Sequence, residues 1–326
     1  MKNKTVLLIT LLVVFVGLIG VALTTHKKTS PLVVTGVYCQ SNGIVGPNKP
    51  IQSHRSYCFV SDSSGKTYDK TQPEEYSFKI IDDEGNTLKD FAITHTKPMH
   101  VIVVRKDLAY FQHVHPTYNA TTGVFSFSDL KFPAPGQYRI FADFAAQGSM
   151  MDAIGMQLTT TLSEDVMIGN AANYTPQEIG TTETSKTFDG LTVALSTGSK
   201  ALVVGTDTQL SYTLTQNGKL VTDLEPYLGA LGHAVVLREE NLDFIHAHPL
   251  ENVLDPQHGT VHFVVDFPEA GRYKIFTQFQ KNGKIITTDF VVIVGVNVTN
   301  SSSQGASTNH SMSGMRAMPD GTKMSN

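Results

Sequence analysis

Apolar and polar residues alternate at period two along most of this chain. YSFKI (76–80) and LSYTL (210–214) hold that alternation, and each runs into a glycine-containing polar turn of hairpin type, DDEGN and TQNGK. HVIVV (100–104) and HAVVL (233–237) are β-branched, near-continuous apolar runs, each followed by a polar turn and a second strand. PAPGQYRIF (133–141) and PEAGRYKIF (268–276) leave a Pro/Gly turn and enter a strand through a tyrosine, where Greek-key sandwiches place a tyrosine corner. Beyond the N-terminal segment nothing sustains a 3.6-residue stripe. The pattern predicts an all-β protein: two tandem Ig-like or cupredoxin-like antiparallel sandwiches after an N-terminal transmembrane helix.

The two halves are copies. A constant offset of 133 aligns HVIVVRKDLAYFQHVHP (100–116) with HAVVLREENLDFIHAHP (233–249), pairing His100 with His233, Arg105 with Arg238, Phe111 with Phe244, His113 with His246, His115 with His248 and Pro116 with Pro249. At offset 135, KFPAPGQYRIFADF (131–144) matches DFPEAGRYKIFTQF (266–279). A shift confined to turns is what a duplicated unit accumulates. The expected organisation is a membrane anchor or signal segment over 1–28, a cysteine-containing strand–loop–strand extension over 29–70, and a first sandwich over 71–165. A linker over 166–185, a second sandwich over 186–296 and a disordered tail over 297–326 complete it.

The first segment sets the compartment. Lys2 and Lys4 precede an uncharged run from Thr5 to Leu23, and Lys27 and Lys28 follow it. That run is nearer the about 20 residues of a membrane span than the roughly 7–15 of a secretory core. Gly20 and Ala22 offer a cleavage site, the alternative and secreted outcome. Both outcomes put the bulk of the chain outside the cytoplasm, expected at the cell membrane as a single-pass protein. In that oxidising compartment Cys39 and Cys58, the only cysteines, are expected to form a disulfide, with paired soft copper ligands as the alternative. Hydrophobic content of 40% supports full cores, and a net charge of −4 without a basic stripe argues against nucleic acid as a partner.

The chemistry-bearing residues are imidazoles. His113 and His115 lie two apart on one strand and so share a face. If Val104 pairs with Phe111 and Ile102 with His113, then His100 faces His115 and all three share that face; a one-residue slip would remove the site. His233, His246 and His248 repeat the arithmetic. Three neutral imidazoles with an open fourth position suit Zn²⁺ or Cu²⁺, so each triplet is expected to bind one ion. In the tail, His310, Met312, Met315, Met318 and Met324 sit in a polar stretch with no core to fill, and thioethers select Cu(I).

The motifs KPMHVIVVRKDLAYFQHVHP and EPYLGALGHAVVLREENLDFIHAHP resemble a family of bacterial secreted or membrane-anchored proteins with a duplicated YtkA-like, copper-resistance-like sandwich. The resemblance covers about residues 75–295 and implies an extracytoplasmic role in metal handling, with no catalytic residues to carry over. No nucleophile elbow, phosphate loop or HExxH motif is present, so an enzyme is not expected. The expected function is copper or zinc handling or sequestration. The alternative is a cell-surface interaction module whose histidines are structural.

Overall fold

A computed structural model describes residues 37–40, 56–62, 68, 74–149, 151, 158–198, 201–250 and 259–296. The N-terminal apolar segment and the methionine tail lie outside them. Among the described residues no helix is long and apolar enough to cross a membrane.

Each repeat is a predominantly antiparallel β-sandwich. In the first, β1 (Val37–Gln40), β2 (Tyr57–Ser61), β3 (Glu74–Asp82), β4 (Phe91–Ala92), β5 (His100–Arg105), β6 (Phe111–Val114), β7 (Thr117–Asn119), β8 (Val124–Leu130), β9 (Gly136–Ala146) and β10 (Thr160–Ile168) form two sheets. Their orders are β1-β2-β3-β8-β7 and β10-β9-β5-β6, with β4 added beside β9. In the second repeat the strands are β11 (Ser185–Phe188), β12 (Leu191–Ser196), β13 (Leu202–Val203), β14 (Asp207–Gln216), β15 (Lys219–Leu220), β16 (His233–Arg238), β17 (Phe244–Pro249), β18 (Thr260–Asp266), β19 (Gly271–Lys281) and β20 (Lys284–Gly295). There the order runs β11-β12-β14-β18-β17-β16-β19-β20-β13. Strand β17 joins the two layers, pairing Ala247 with Ala234 of β16 and His248 with Val264 of β18. In the first repeat the chain breaks into β6 and β7 around Pro116, and of these two only β7 pairs β8.

The alternating strands behave as their pattern predicts. Tyr76, Phe78 and Ile80 of β3 point into one core with Phe125, Tyr138, Ile140 and Phe144; Leu210, Tyr212 and Leu214 of β14 do the same in the other with Phe263, Tyr273, Ile275 and Phe279. Both tyrosine corners are made. Tyr138 Oη donates to the Ala134 carbonyl at 2.9 Å and Tyr273 Oη to the Glu269 carbonyl at 2.7 Å, fixing each turn against the strand that follows.

The cysteine segment differs from its expected place outside the sandwich. β2 pairs β3, Tyr57 and Phe59 are buried, and β1 forms the edge of that sheet. The second repeat explains why: β11 and β12 occupy the equivalent edge, joined by a tight turn with Asp189 and Gly190 at φ 49° and 81°. The first repeat joins the same two strands through a longer connection. Cys39 and Cys58 face each other in register across them, and Cys58 is disulfide-bonded. The cross-link stands where the other copy has a two-residue turn. By chain entropy, Cys58→Ser is expected to lower stability by about 3 kcal/mol. Urea unfolding of oxidised wild type against the variant measures this, and coincident midpoints would refute it.

The expected linker is also part of the fold. β10 runs to Ile168, and beyond it Ile179 is buried between the two sandwiches. The Gln177 amide donates to Asp107 Oδ2 at 2.9 Å, and Arg272 donates to the Gly180 carbonyl at 2.6 Å. The connection is therefore held to both repeats.

Strands β5 and β16 explain the unbroken apolar runs. Val101 and Val103 face the first core, while Ile102 and Val104 face Val235, Leu237 and Phe276 of the other repeat. The sheets β10-β9-β5-β6 and β20-β19-β16-β17 thus pack outer face to outer face, and their central strands are buried on both sides. The contact is reciprocal. Phe111 stacks on Phe276 with centroids 4.4 Å apart, and the equivalent Phe244 packs on the equivalent Phe141 at 5.3 Å. Lys274 Nζ donates to the Leu108 carbonyl at 3.0 Å, and Arg139 donates to the Asn241 carbonyl at 2.9 Å. The repeats meet as an isologous dimer does, within one chain.

Candidate metal centre

The histidines lie at one end of this seam. The β5/β6 register pairs Ile102 with His113 and Val104 with Phe111, the pairing that puts His100, His113 and His115 on one face. That face is the outer one, turned toward the second repeat. His233, at the start of β16, comes from across the seam: its ring stacks on His100 at 5.5 Å and 13°, and on His113 at 4.8 Å and 27°. His100, His113 and His233 are all buried, and one nitrogen of each lies within 4.8 Å of the others. Two separate triplets were expected. The observed three-histidine cluster draws two residues from one copy and one from the other. The backbones of His246 and His248 lie in β17, with His246 opposite Val235, but their side chains are outside the described residues.

Neighbouring acceptors orient the imidazoles. His100 Nε2 lies 2.9 Å from the Thr94 carbonyl, so Nε2 carries the proton and Nδ1 the lone pair. His113 Nδ1 lies 3.0 Å from Gln278 Oε1, whose amide nitrogen donates to Thr287 Oγ1 at 3.1 Å. His113 Nε2 is therefore the lone-pair nitrogen. These two nitrogens approach each other at 3.1 Å. His115 Nε2 reaches the same His100 Nδ1 at 3.2 Å and can satisfy that lone pair by donating to it. Two imidazole nitrogens converging at that distance can ligate one cation, since about 3.3 Å is the nitrogen–nitrogen edge of a tetrahedral site with 2.0–2.1 Å bonds. Closing His233 onto the same point takes a side-chain adjustment of up to about 1.5 Å, from the 4.8 Å spread of the nitrogens to that edge length.

A neutral imidazole and a buried carboxyl group lie beside the cluster. Burial, followed by the neighbouring His100 and Lys97, pushes the pKa of His115 down to about 4, leaving it a neutral imidazole at pH 7. Asp143 is 1% exposed and pairs in register with His100, so its side chain lies on the same face; Thr161 Oγ1 donates to it at 2.8 Å. It occupies the position of Gln278 in the other copy, and that exchange makes the seam's two halves chemically different.

Sequence reasoning missed His95. Thr94, His95, Thr96 and Lys97 form a tight turn with His95 and Thr96 at φ 46° and 68° and mutual hydrogen bonds between Thr94 and Lys97. The other copy repeats it as Tyr227, Leu228, Gly229 and Ala230, with φ 56° and 84° at the centre. The two turns approach each other closely enough that a Cβ on Gly229 would lie 3.4 Å from Thr96 Cγ2. His95 is half-buried, with its ring 5.1 Å from that of His233 and 5.9 Å from that of His100. The available signal was a histidine five residues before His100 in a turn-forming THTK stretch, without a counterpart in the second repeat.

Together these features define a tandem-sandwich protein whose duplicated units join through their outer sheet faces and pool imidazoles at the joint. The chain belongs to the family described as a domain of unknown function, DUF8832, which it matches twice, over residues 60–160 and 186–296. The YtkA-like character of the histidine motifs remains a resemblance. No curated protein matches the chain. Among solved structures it is similar to a Salmonella alpha-2-macroglobulin mutant, with 13% identity, 73% of this chain and 14% of that one covered, and a TM-score of 0.24. It is also similar to domains 4 and 5 of the S-layer protein SbsC, with 11% identity, 75% and 99% coverage and a TM-score of 0.21. Fibronectin(III)-like modules of Clostridium thermocellum CbhA align at 10% identity, 73% and 93% coverage and a TM-score of 0.20. The chain thus spans about one-seventh of the Salmonella protein. At such scores these superpositions carry no functional argument.

Proposed function

We propose that this is a membrane-anchored, extracytoplasmic metal-binding protein that holds one Zn²⁺ or Cu²⁺ between its two sandwiches. His100, His113 and His233 are the ligands and His115 stands beside them. The observation that carries this reading is the 3.1 Å approach of His100 Nδ1 to His113 Nε2, with the other nitrogen of each ring already committed to Thr94 and Gln278. That is how ligand imidazoles are oriented by outer partners. The role is sequestration or handling rather than turnover. The uncharged run over 5–23 supports an anchor, and His310, Met312, Met315, Met318 and Met324 support capture of Cu(I) by the tail. The resemblance to copper-resistance-like sandwiches points the same way.

The test is Zn²⁺ uptake by the full-length chain, since thioethers bind Zn²⁺ poorly and leave the tail silent. One tightly held ion per chain is expected, and at 100 times the dissociation constant it should add about 2.7 kcal/mol of stability. A double variant lacking the imidazoles of His113 and His115 should stay folded and lose the ion. If its metal content is unchanged, or if the sandwich collapses, the histidines are structural and the protein is an interaction module.

A further inference from the structure

The proposed ligands are buried, so an ion reaching them must pass whatever stands between them and solvent. His100, His113 and His233 are 2%, 8% and 4% exposed. His95 is half-buried beside them, on a turn rather than a sheet strand. We propose that His95 is the fourth imidazole of the same site, completing a four-nitrogen shell around Zn²⁺ or Cu²⁺ from the solvent side and serving as the ligand through which the ion enters and leaves. This inference rests on the metal reading above and adds the coordination number and the point of exchange.

Ring spacing to two of the three buried ligands supports it. With bonds of 2.0–2.1 Å, imidazole centroids around one tetrahedral ion lie about 5.2 Å apart. The pairs His95–His233, His100–His113, His100–His233 and His113–His233 are 5.1, 5.3, 5.5 and 4.8 Å, and His95–His100 is 5.9 Å. His95 stands on edge to both of its neighbours, at 77° and 79°, whereas His100 and His233 lie nearly parallel. Backbone conformation gives a second reason. A non-glycine residue at φ 46° is uncommon, and this one places a half-buried imidazole beside His100 and His233. The same turn in the other repeat carries Leu228 at φ 56°, so the fold does not need a histidine there. The duplication therefore supplies its own control. His95→Leu installs the side chain that the equivalent turn already tolerates.

The experiment compares full-length wild type, His95→Leu and His95→Asn, the second because asparagine readily takes the left-handed conformation. Zn²⁺ affinity is measured against a chromophoric chelator, Cu²⁺-bound nitrogens are counted by electron paramagnetic resonance, and thermal melting confirms folding. Both variants are expected to keep one ion per chain, to bind it at least about 10-fold more weakly, since even an outer partner is worth that much, and to show one coordinated nitrogen fewer. Wild-type affinity and nitrogen count in both folded variants would overturn the role of His95 and leave the buried three-histidine site standing. A wild-type chain that takes up no Zn²⁺ would overturn the metal reading and His95 with it.

Discussion

Replacing His233 with alanine is expected to abolish the ion held by His100 and His113, although His233 belongs to the other repeat. Its ring lies 4.8 Å from His113 and 5.5 Å from His100, inside the buried cluster rather than in a site of its own. Loss of an outer partner alone costs 10- to 100-fold in metal affinity, so loss of a buried ligand should cost at least about 100-fold. Zn²⁺ titration of the full-length variant measures it, with His262→Ala as the comparison. His262 lies on β18, where its Nδ1 is 3.0 Å from Ser211 Oγ and from Gln209 Nε2, away from the seam. Two independent sites, one per repeat, would instead leave half of the wild-type uptake in His233→Ala. That outcome would restore the arrangement expected from the duplicated triplets and remove the shared one.

Much of the fold was legible because period-two alternation reports which face of a strand is buried. YSFKI and LSYTL were placed correctly, both tyrosine corners were found, and the β5/β6 register followed from one assumption about Val104 and Phe111. The relation between the repeats was not legible, because alternation says nothing about what covers the outer face of a sheet. A clue was present: HVIVV and HAVVL are apolar at every position after the histidine, which a sheet with one wet face does not need. Read that way, the runs call for a second layer, and the two copies are each other's layer. The cysteine segment was misplaced for a related reason. A long connection between β1 and β2 hid their equivalence to the hairpin of β11 and β12, which the Asp189–Gly190 turn makes plain. His95 escaped because comparing copies rewards what they share, and here the informative residue is one they do not.

The seam itself should be the most sensitive apolar feature of the molecule. Phe276→Ala is expected to destabilise the protein by about 3–5 kcal/mol, the range for removing a buried phenylalanine. The ring is 4% exposed, stacks on Phe111 at 4.4 Å and 10°, and has Lys274 Nζ 5.4 Å from its centroid. It points away from its own sandwich core, so its loss opens the contact between repeats rather than either core. The expected signature is therefore uncoupling as well as lower stability. Urea unfolding should separate into two transitions where wild type is expected to show one, because each sandwich retains its own buried cluster. Metal binding should weaken in the same variant, since Gln278 orients His113 from β19, two residues beyond the altered position. Ile293→Ala, on the adjacent strand at 59% exposure, should shift stability by less than about 0.5 kcal/mol. A Phe276→Ala protein that unfolds in one transition at the wild-type midpoint would mean that the two sandwiches do not depend on each other. A cluster built from both could not then be held in place by their packing.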